Sequence, residues 1–241
     1  MLVEICANSF ESALAAQEGG ASRIELCSEL SVGGLTPSYG LLKKVLNELT
    51  IPVHVLIRPR GGDFSYTKAE MDIMLADISL CKDLGCAGIV SGVLNTNNTI
   101  DMEVTKSLIE EASPLEFTFH RAFDWVINPL EALEQLKKLK IDRLLSSGQK
   151  KSALEGIDLL KKLKKQSGNT LSIMPGGGIN LENAGVFKNN GFSSIHLSAT
   201  NKKQVLAQTP LVSMNNPLLF EEGIVPQTDA LKVKNIVDML K

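Results

Sequence analysis

The chain has 241 residues, 44% of them hydrophobic and 22% charged, and its 25 Lys and Arg against 27 Asp and Glu give a formal net charge of −2. This composition excludes collagen-like, disordered and disulfide-rich scaffolds, and it leaves no basic excess for binding a nucleic acid. No apolar run approaches the roughly 18 residues of a membrane helix. The first residues read as a strand rather than a signal peptide, so we expect a cytoplasmic protein with no membrane partner.

Short aliphatic runs recur at even spacing and predict eight β-strands. They cover residues 2–6, 23–27, 53–58, 87–92, 115–120, 142–147, 171–174 and 194–198. Segments with helical periodicity, such as 68–84 and 129–139, lie between them. Eight alternating units in about 240 residues predict a single (β/α)8 TIM barrel domain over residues 1–241. An open doubly wound sheet is the alternative, but no Gly-x-Gly-x-x-Gly motif follows the first strand.

Capping patterns predict where several helices begin. Thr67 to Glu70 and Ser152 to Glu155 have the form of capping boxes, and Thr36-Pro37 and Asn128-Pro129 each place a cap before a first-turn proline. Residues 198–227 contain three prolines and little periodicity. We expect them to form a long loop over the barrel mouth, followed by a last helix from about Thr228.

Alternation along each strand separates an apolar face from a mixed face, and the apolar face must meet the helices. The mixed face therefore lines the barrel. It places Glu4, Glu25, Arg58, His120 and His196 near the carboxyl ends of their strands. Barrel enzymes carry their active sites at that end. A structural ion-pair network that fills a polar barrel is the alternative.

Two loops have the composition of anion sites. The segment from Arg58 to Phe64 brings Arg58, Arg60 and Asp63 together with two glycines, which suits a clamp on a carboxylate or phosphate. Gly176, Gly177 and Gly178 follow the seventh strand and are expected to open a helix, where exposed amides favour an anion. A tight turn without a ligand is the alternative for the glycines.

The loop after the fifth strand has the composition of a proton-transfer site. His120 is a candidate general acid or base, Arg121 adds a cation beside it, and Asp124 can orient the imidazole. No inward lysine lies near a strand end, which argues against Schiff-base chemistry.

Several motifs closely resemble those of the CutC family of copper homeostasis proteins. They are Glu4-Ile5-Cys6, Arg23-Ile24-Glu25-Leu26-Cys27, Gly33-Gly34-Leu35-Thr36-Pro37-Ser38, the segment from Ile57 to Phe64, Phe119-His120-Arg121-Ala122-Phe123-Asp124 and Met174-Pro175-Gly176-Gly177-Gly178. The resemblance covers nearly the whole chain. It implies a cytoplasmic (β/α)8 barrel that binds copper and forms a homo-oligomer, for which we expect a dimer. The family's proposed copper ligands match Cys6 and Cys27.

Two functions from different classes remain open on the sequence. The first is Cu(I) binding by Cys6 and Cys27, whose thiols end adjacent parallel strands about 4.8 Å apart and suit a soft ion. The second is an isomerase, lyase or epimerase acting on a small anionic, phosphorylated metabolite. Its catalytic residues would be Glu4, Glu25, His120 and Asp124. Its anion-binding residues would be Arg58, Arg60, Asp63, Arg121, Gly176, Gly177, Gly178 and His196.

A lesser variant places Mn(II) or Zn(II) on Glu4, Glu25, His120 and His196, which are acceptable ligands without a diagnostic spacing. We expect no organic cofactor. The remaining cysteines, Cys81 and Cys86, are expected to be ordinary reduced thiols.

Overall fold

Eight parallel strands form one sheet in the computed structural model, which describes residues 1–208, 211, 212, 214 and 222–241. The strands are β1 (Leu2–Ala7), β2 (Arg23–Leu26), β3 (Val53–Leu56), β4 (Gly88–Ser91), β5 (Glu116–Phe119), β6 (Arg143–Ser146), β7 (Ser172–Pro175) and β8 (Ser194–Leu197). The strand order is β7-β6-β5-β4-β3-β2-β1-β8. An isolated parallel bridge between Gly176 and His196 joins the two ends. The predicted (β/α)8 barrel is therefore confirmed.

Helices follow the strands and surround the barrel. In the described part of the chain they are α1 (Phe10–Glu18), α2 (Tyr39–Glu48), α3 (Lys68–Asp83), α4 (Met102–Ala112), α5 (Pro129–Lys138), α6 (Ile157–Ser167), α7 (Ala184–Asn189) and α8 (Ala230–Leu240). None of these helices is both long and apolar enough to cross a membrane.

The two faces of the strands have separate cores, as the alternation predicts. Val3 and Ile5 are buried in the large aliphatic core between sheet and helices. A smaller cluster inside the barrel contains Cys6, Cys27 and Leu56. The strand bounds agree with the prediction to within two residues, because period-two alternation marks a strand directly in the sequence.

Predicted helix starts are confirmed at two positions and wrong at two others. Thr67 and Glu70 form the expected capping box of α3, and Pro129 opens α5. The helix expected after Thr36-Pro37 begins at Tyr39 instead, with Ser38 as its cap. Ser152 does accept a hydrogen bond from the Glu155 amide, but this contact closes a turn, and α6 begins only at Ile157. A capping pattern fixes a local turn, which a helix then continues only if packing supports it.

The glycine segment does not open a helix, contrary to expectation. The next helix, α7, begins at Ala184 and has six residues. Gly177 and Gly178 have φ values of +106° and +70°, which only glycine adopts readily, so this segment is a loop. The predicted contribution of a helix dipole to anion binding is therefore wrong.

Part of the expected long loop forms a hairpin. β9 (Thr200–Gln204) pairs in antiparallel fashion with β10 (Ile224–Thr228), and the last helix starts at Ala230 rather than Thr228. The Thr228 amide donates to Ser12 of α1. Two of the three prolines, Pro210 and Pro217, lie outside the described residues.

At the amino end of the barrel, the buried side chains of His54 and Arg143 share the exposed carboxylate of Glu116. Arg143 pairs with Glu116, and Nε2 of His54 lies 3.2 Å from Oε2 of the same carboxylate. The imidazole lies directly beside Gly88, where a Cβ would come within 2.6 Å of it. Burial lowers the pKa of His54 to about 4, so the ring is neutral at pH 7.

We predict that His54 makes the fold sensitive to acid. Its pKa is lower in the folded chain than the usual 6.5. Its contribution to stability is therefore full above about pH 6.5 and is lost as the pH falls towards 4. His54→Gln, which keeps an N–H for Glu116 but does not titrate, should reduce the loss of unfolding free energy between pH 7 and pH 5 by up to about 2 kcal/mol. Urea unfolding at the two pH values measures this difference. An equal loss in both proteins would contradict the prediction.

Candidate metal and ligand site

Two thiols meet at the carboxyl end of the barrel. Cys6 lies near the end of β1, Cys27 directly follows β2, and their sulfur atoms are 3.5 Å apart. Cys27 is fully buried and Cys6 is 7% exposed. The hydrogen bond with Cys27, together with burial and the nearby Glu25, raises the pKa of Cys6 well above its usual value. Without a metal, Cys6 is therefore a neutral thiol at pH 7.

A carboxylate and an imidazole adjoin the thiols. Ligand atoms of Cys6, Glu25 and His196 lie within 4.8 Å of one another. Oε1 of Glu25 is 3.8 Å from the Cys6 sulfur, and Oε2 of Glu25 is buried without a hydrogen-bond partner among the described residues. Burial raises the pKa of Glu25 to about 7, with the charge of Glu4 adding to the effect and that of His196 opposing it. The sequence analysis considered His196 both for an anion site and for a hard-metal site, and the structure places it beside the thiol pair and on the wall of the cavity above.

Glu4 serves as the counter-ion of this cluster. Its carboxylate is fully buried, pairs with Arg23, and lies 2.8 Å from Nδ1 of His196. Burial would raise the pKa of Glu4, but the hydrogen bond and charge of His196 and the charge of Arg23 hold it well below its usual value. The structural ion-pair alternative therefore describes Glu4 and Arg23 well. Strand alternation places Arg23, like Glu4, on the inward face of its strand, and this feature of the sequence indicates the pairing.

A cavity of about 270 Å³ opens above the cluster, and we call it the mouth cavity. Among the predicted site residues, those that line it are Cys6, Glu25, Arg58, His120, Arg121, Gly177, Gly178 and His196. Glu4, Cys27, Arg60, Asp63, Asp124 and Gly176 do not line it. Of the loop predicted over residues 198–227, Ser198 lines the mouth cavity and the other described residues do not.

Arg58 is held mainly by main-chain oxygens. Its guanidinium donates to the carbonyls of Val32, Gly34 and Gly62 at 2.7, 3.1 and 3.2 Å. It also lies 4.9 Å from the ring centre of Phe64. These contacts tie the loops after β2 and β3 together, which is a structural role that the sequence pattern did not reveal.

Arg60 and Asp63 lie away from the mouth cavity. Arg60 pairs with Asp63 at 3.1 Å and with Glu70 at 2.5 Å, so its charge is neutralised within its own loop and the start of α3. Asp63 also accepts from the Ser65 amide. The predicted two-arginine clamp is therefore not assembled, because nearby carboxylates already satisfy Arg60.

Asp124 organises the loop after β6 and does not orient His120. Its carboxylate accepts from the Ser146 hydroxyl at 2.6 Å, from the amides of Ser147 and Gln149, and from Nε of Arg121 at 2.8 Å. Arg121 also donates to the Ser147 hydroxyl. Asp124 is thus a positioning residue that fixes Arg121 on the wall of the mouth cavity.

His120 is a neutral ring at the wall of the mouth cavity. Its Nδ1 accepts from the Ala122 amide at 3.3 Å, and its ring packs edge-on against Phe64. Burial and the charge of Arg58 lower the pKa of His120 to about 3. A base this weak suits proton transfer poorly at pH 7. His120 is also separate from the group of Cys6, Glu25 and His196, so the hard-metal set is not brought together as predicted.

The structure thus defines a (β/α)8 barrel with a thiol, carboxylate and imidazole cluster beneath an arginine-lined cavity. The model of the CutC family matches residues 1–201. A family protein CutC of Pasteurella multocida is 49% identical over 199 residues, which are 82% of each chain. The human copper homeostasis protein cutC homolog is 44% identical over 98% of this chain and 87% of its own. This chain belongs to the CutC family.

Solved structures agree with this assignment. The crystal structure of a protein assigned as copper homeostasis protein CutC from Streptococcus agalactiae has a TM-score of 0.78 and 35% identity, and covers 82% of this chain and 98% of its own. A thiamine phosphate pyrophosphorylase from Pyrococcus furiosus has a TM-score of 0.60 over 99% of this chain and 95% of its own, at 15% identity. This second likeness concerns the barrel fold alone.

We predict that Asp124 stabilises the mouth of the barrel. Asp124→Ala leaves the buried donors of the β6 loop without an acceptor and should lower the unfolding free energy by about 2–4 kcal/mol. Asp124→Asn keeps one acceptor oxygen and should lose clearly less. Urea denaturation at pH 7 compares the two variants, and a wild-type value for Asp124→Ala would contradict the assigned role.

Proposed function

We propose that this protein binds Cu(I) through the thiolates of Cys6 and Cys27 and takes part in copper homeostasis. The observation that carries the proposal is the 3.5 Å separation of the two sulfur atoms at the carboxyl end of the barrel. Thiolates are the ligands that Cu(I) prefers. The human and Streptococcus agalactiae relatives, both named as copper homeostasis proteins, support the same function.

Two further groups beside the thiol pair could also bind a metal ion. Glu25 and His196 lie close enough to Cys6 to supply an additional donor. The same four groups are acceptable ligands for Zn(II), so zinc is the metal against which copper must be compared.

Metal binding in this site requires the loss of protons. Because the pKa of Cys6 is raised, its thiol is protonated before the metal arrives. A bound Cu(I) ion would replace that proton and would supply the positive charge that a buried thiolate needs. The ion pair of Glu4 with Arg23 remains beneath the site as a fixed neutral group.

We also propose a cytoplasmic location, a homodimer and a single domain over residues 1–241. All four cysteines are free thiols, which agrees with a reducing compartment such as the cytoplasm.

The hairpin of β9 and β10 supports the single domain, because it contacts both the first and the last helix. The Asn201 amide donates to Asp229 at the cap of α8, and the Thr228 amide donates to α1. Light scattering of the purified protein tests the oligomeric state.

We expect the double substitution Cys6→Ser, Cys27→Ser to weaken Cu(I) affinity by at least about a hundredfold, because hydroxyls are poor ligands for a soft ion. Competition with a chromophoric Cu(I) chelator under anaerobic conditions measures the affinity. Cys81→Ser, Cys86→Ser is the matched control, since those buried thiols belong to the outer core between sheet and helices. Equal affinity in wild type and the first variant would refute the site. Tighter binding of Zn(II) than of Cu(I), each against its own competitor, would refute the choice of metal.

A further inference from the structure

Arg58 is a buried cation without a carboxylate partner in the described part of the chain. Its side chain lines the mouth cavity and is 4% exposed. Among the described residues, its partners are three carbonyl oxygens and the Phe64 ring. Its Nε is buried and makes no hydrogen bond with them. Carbonyls orient a guanidinium but leave its full charge in place. A buried uncompensated charge is unfavourable, so an anion in the mouth cavity would stabilise this residue.

Arg121 brings a second guanidinium to the same cavity. Asp124 and Ser147 hold two of its nitrogens, while Nη1 lies against the backbone of Gly177. A Cβ on Gly177 would lie 3.3 Å from that nitrogen, and the φ of +106° at this position favours glycine. Among the described residues that line the cavity, Glu25 is the sole carboxylate. The lining therefore has the charge balance of an anion site.

The thiol pair is reached through this same space. Cys27 is fully buried, and Cys6, which is 7% exposed, lies at the wall of the mouth cavity. A volume of about 270 Å³ is near the lower end of small-molecule sites. It has room next to Cys6 for a free ion or for an ion in a small complex. Because Cu(I) is soft, its carriers in a reducing compartment are thiolates.

We infer that the mouth cavity receives Cu(I) as a complex with a small thiol that also carries a carboxylate. The inference rests on the proposed copper function and adds the chemical class of the carrier. The carboxylate binds at Arg121 and Arg58, and this contact brings the metal-bound sulfur of the carrier next to Cys6. The charge of the carrier, rather than contact with a docked protein, then determines how readily copper is transferred.

The exchange needs no oxidant. Two Cu–S bonds to the carrier break and two Cu–S bonds to Cys6 and Cys27 form, while copper remains Cu(I). The two protons of the cysteine thiols pass to the two departing thiolates, which leave as neutral thiols. The complex carries the same charge on its CuS2 unit before and after the exchange.

A pair of nearly isosteric thiols tests this inference. Mercaptoacetate carries a carboxylate where 2-mercaptoethanol carries a neutral hydroxymethyl group. Each is supplied as its Cu(I) complex under anaerobic conditions, and protein-bound copper is quantified after rapid gel filtration. The ratio of the two loading rates is compared between variants. Any difference in reactivity between the two free complexes is the same for every variant and therefore cancels.

In the wild type we expect this ratio to favour mercaptoacetate, and Arg121→Gln should lower it about tenfold, as expected for one lost charge-assisted hydrogen bond. Lys165→Gln removes one positive charge from the exposed surface of α6 and should leave the ratio unchanged. Arg58→Lys, which keeps the charge but loses the fork of donors, should retain most of the preference.

Equal ratios in wild type and Arg121→Gln would overturn the inference and leave the copper proposal standing. An equal fall in Lys165→Gln would overturn it as well, because the effect would then come from overall charge. If neither complex loads the wild type and chelator competition also detects no Cu(I) binding, the copper function itself fails. The two failures are therefore distinguishable.

Discussion

The candidate site depends on the contacts of one buried carboxylate, that of Glu4. It lies in β1, the strand that pairs with both β2 and β8, and it contacts Arg23 on one side and His196 on the other. Removing either partner would leave a charge in a medium of low dielectric, so the three groups specify each other's position. The ion pair thus orients the imidazole that adjoins the thiols. Glu4 and Arg23 thus support the site from beneath and do not line the mouth cavity.

The sequence predicted the barrel and the inward residues for a simple physical reason. Strand alternation has a period of two, so the parity of Cys6, Glu25 and His196 follows directly from the residue numbers. Parity does not give the distances between residues on different strands of the barrel. The register that aligns Glu4 with both Arg23 and His196 depends on the stagger of the closed sheet, which one strand alone does not contain.

The failed predictions concern loops, where partners come from distant parts of the chain. Arg60 resembles half of a two-arginine clamp in the sequence, yet the Glu70 carboxylate at the start of α3 pairs with it instead. Asp124 follows His120 closely in the chain, but its oxygens accept instead from Ser146 and Ser147 at the end of β6. A charged side chain in a loop binds whichever partner the fold brings within reach, and sequence proximity is a poor guide to that partner.

His196 also takes part in closing the barrel, since its bridge to Gly176 joins the two ends of the sheet. A Cβ on Gly176 would lie 3.2 Å from that of His196, so the two strands are in close contact there. His196, which adjoins the thiols, therefore also lies at the junction where an isolated bridge joins β7 to β8. A ligand that holds the imidazole in place would therefore also hold the junction between β7 and β8.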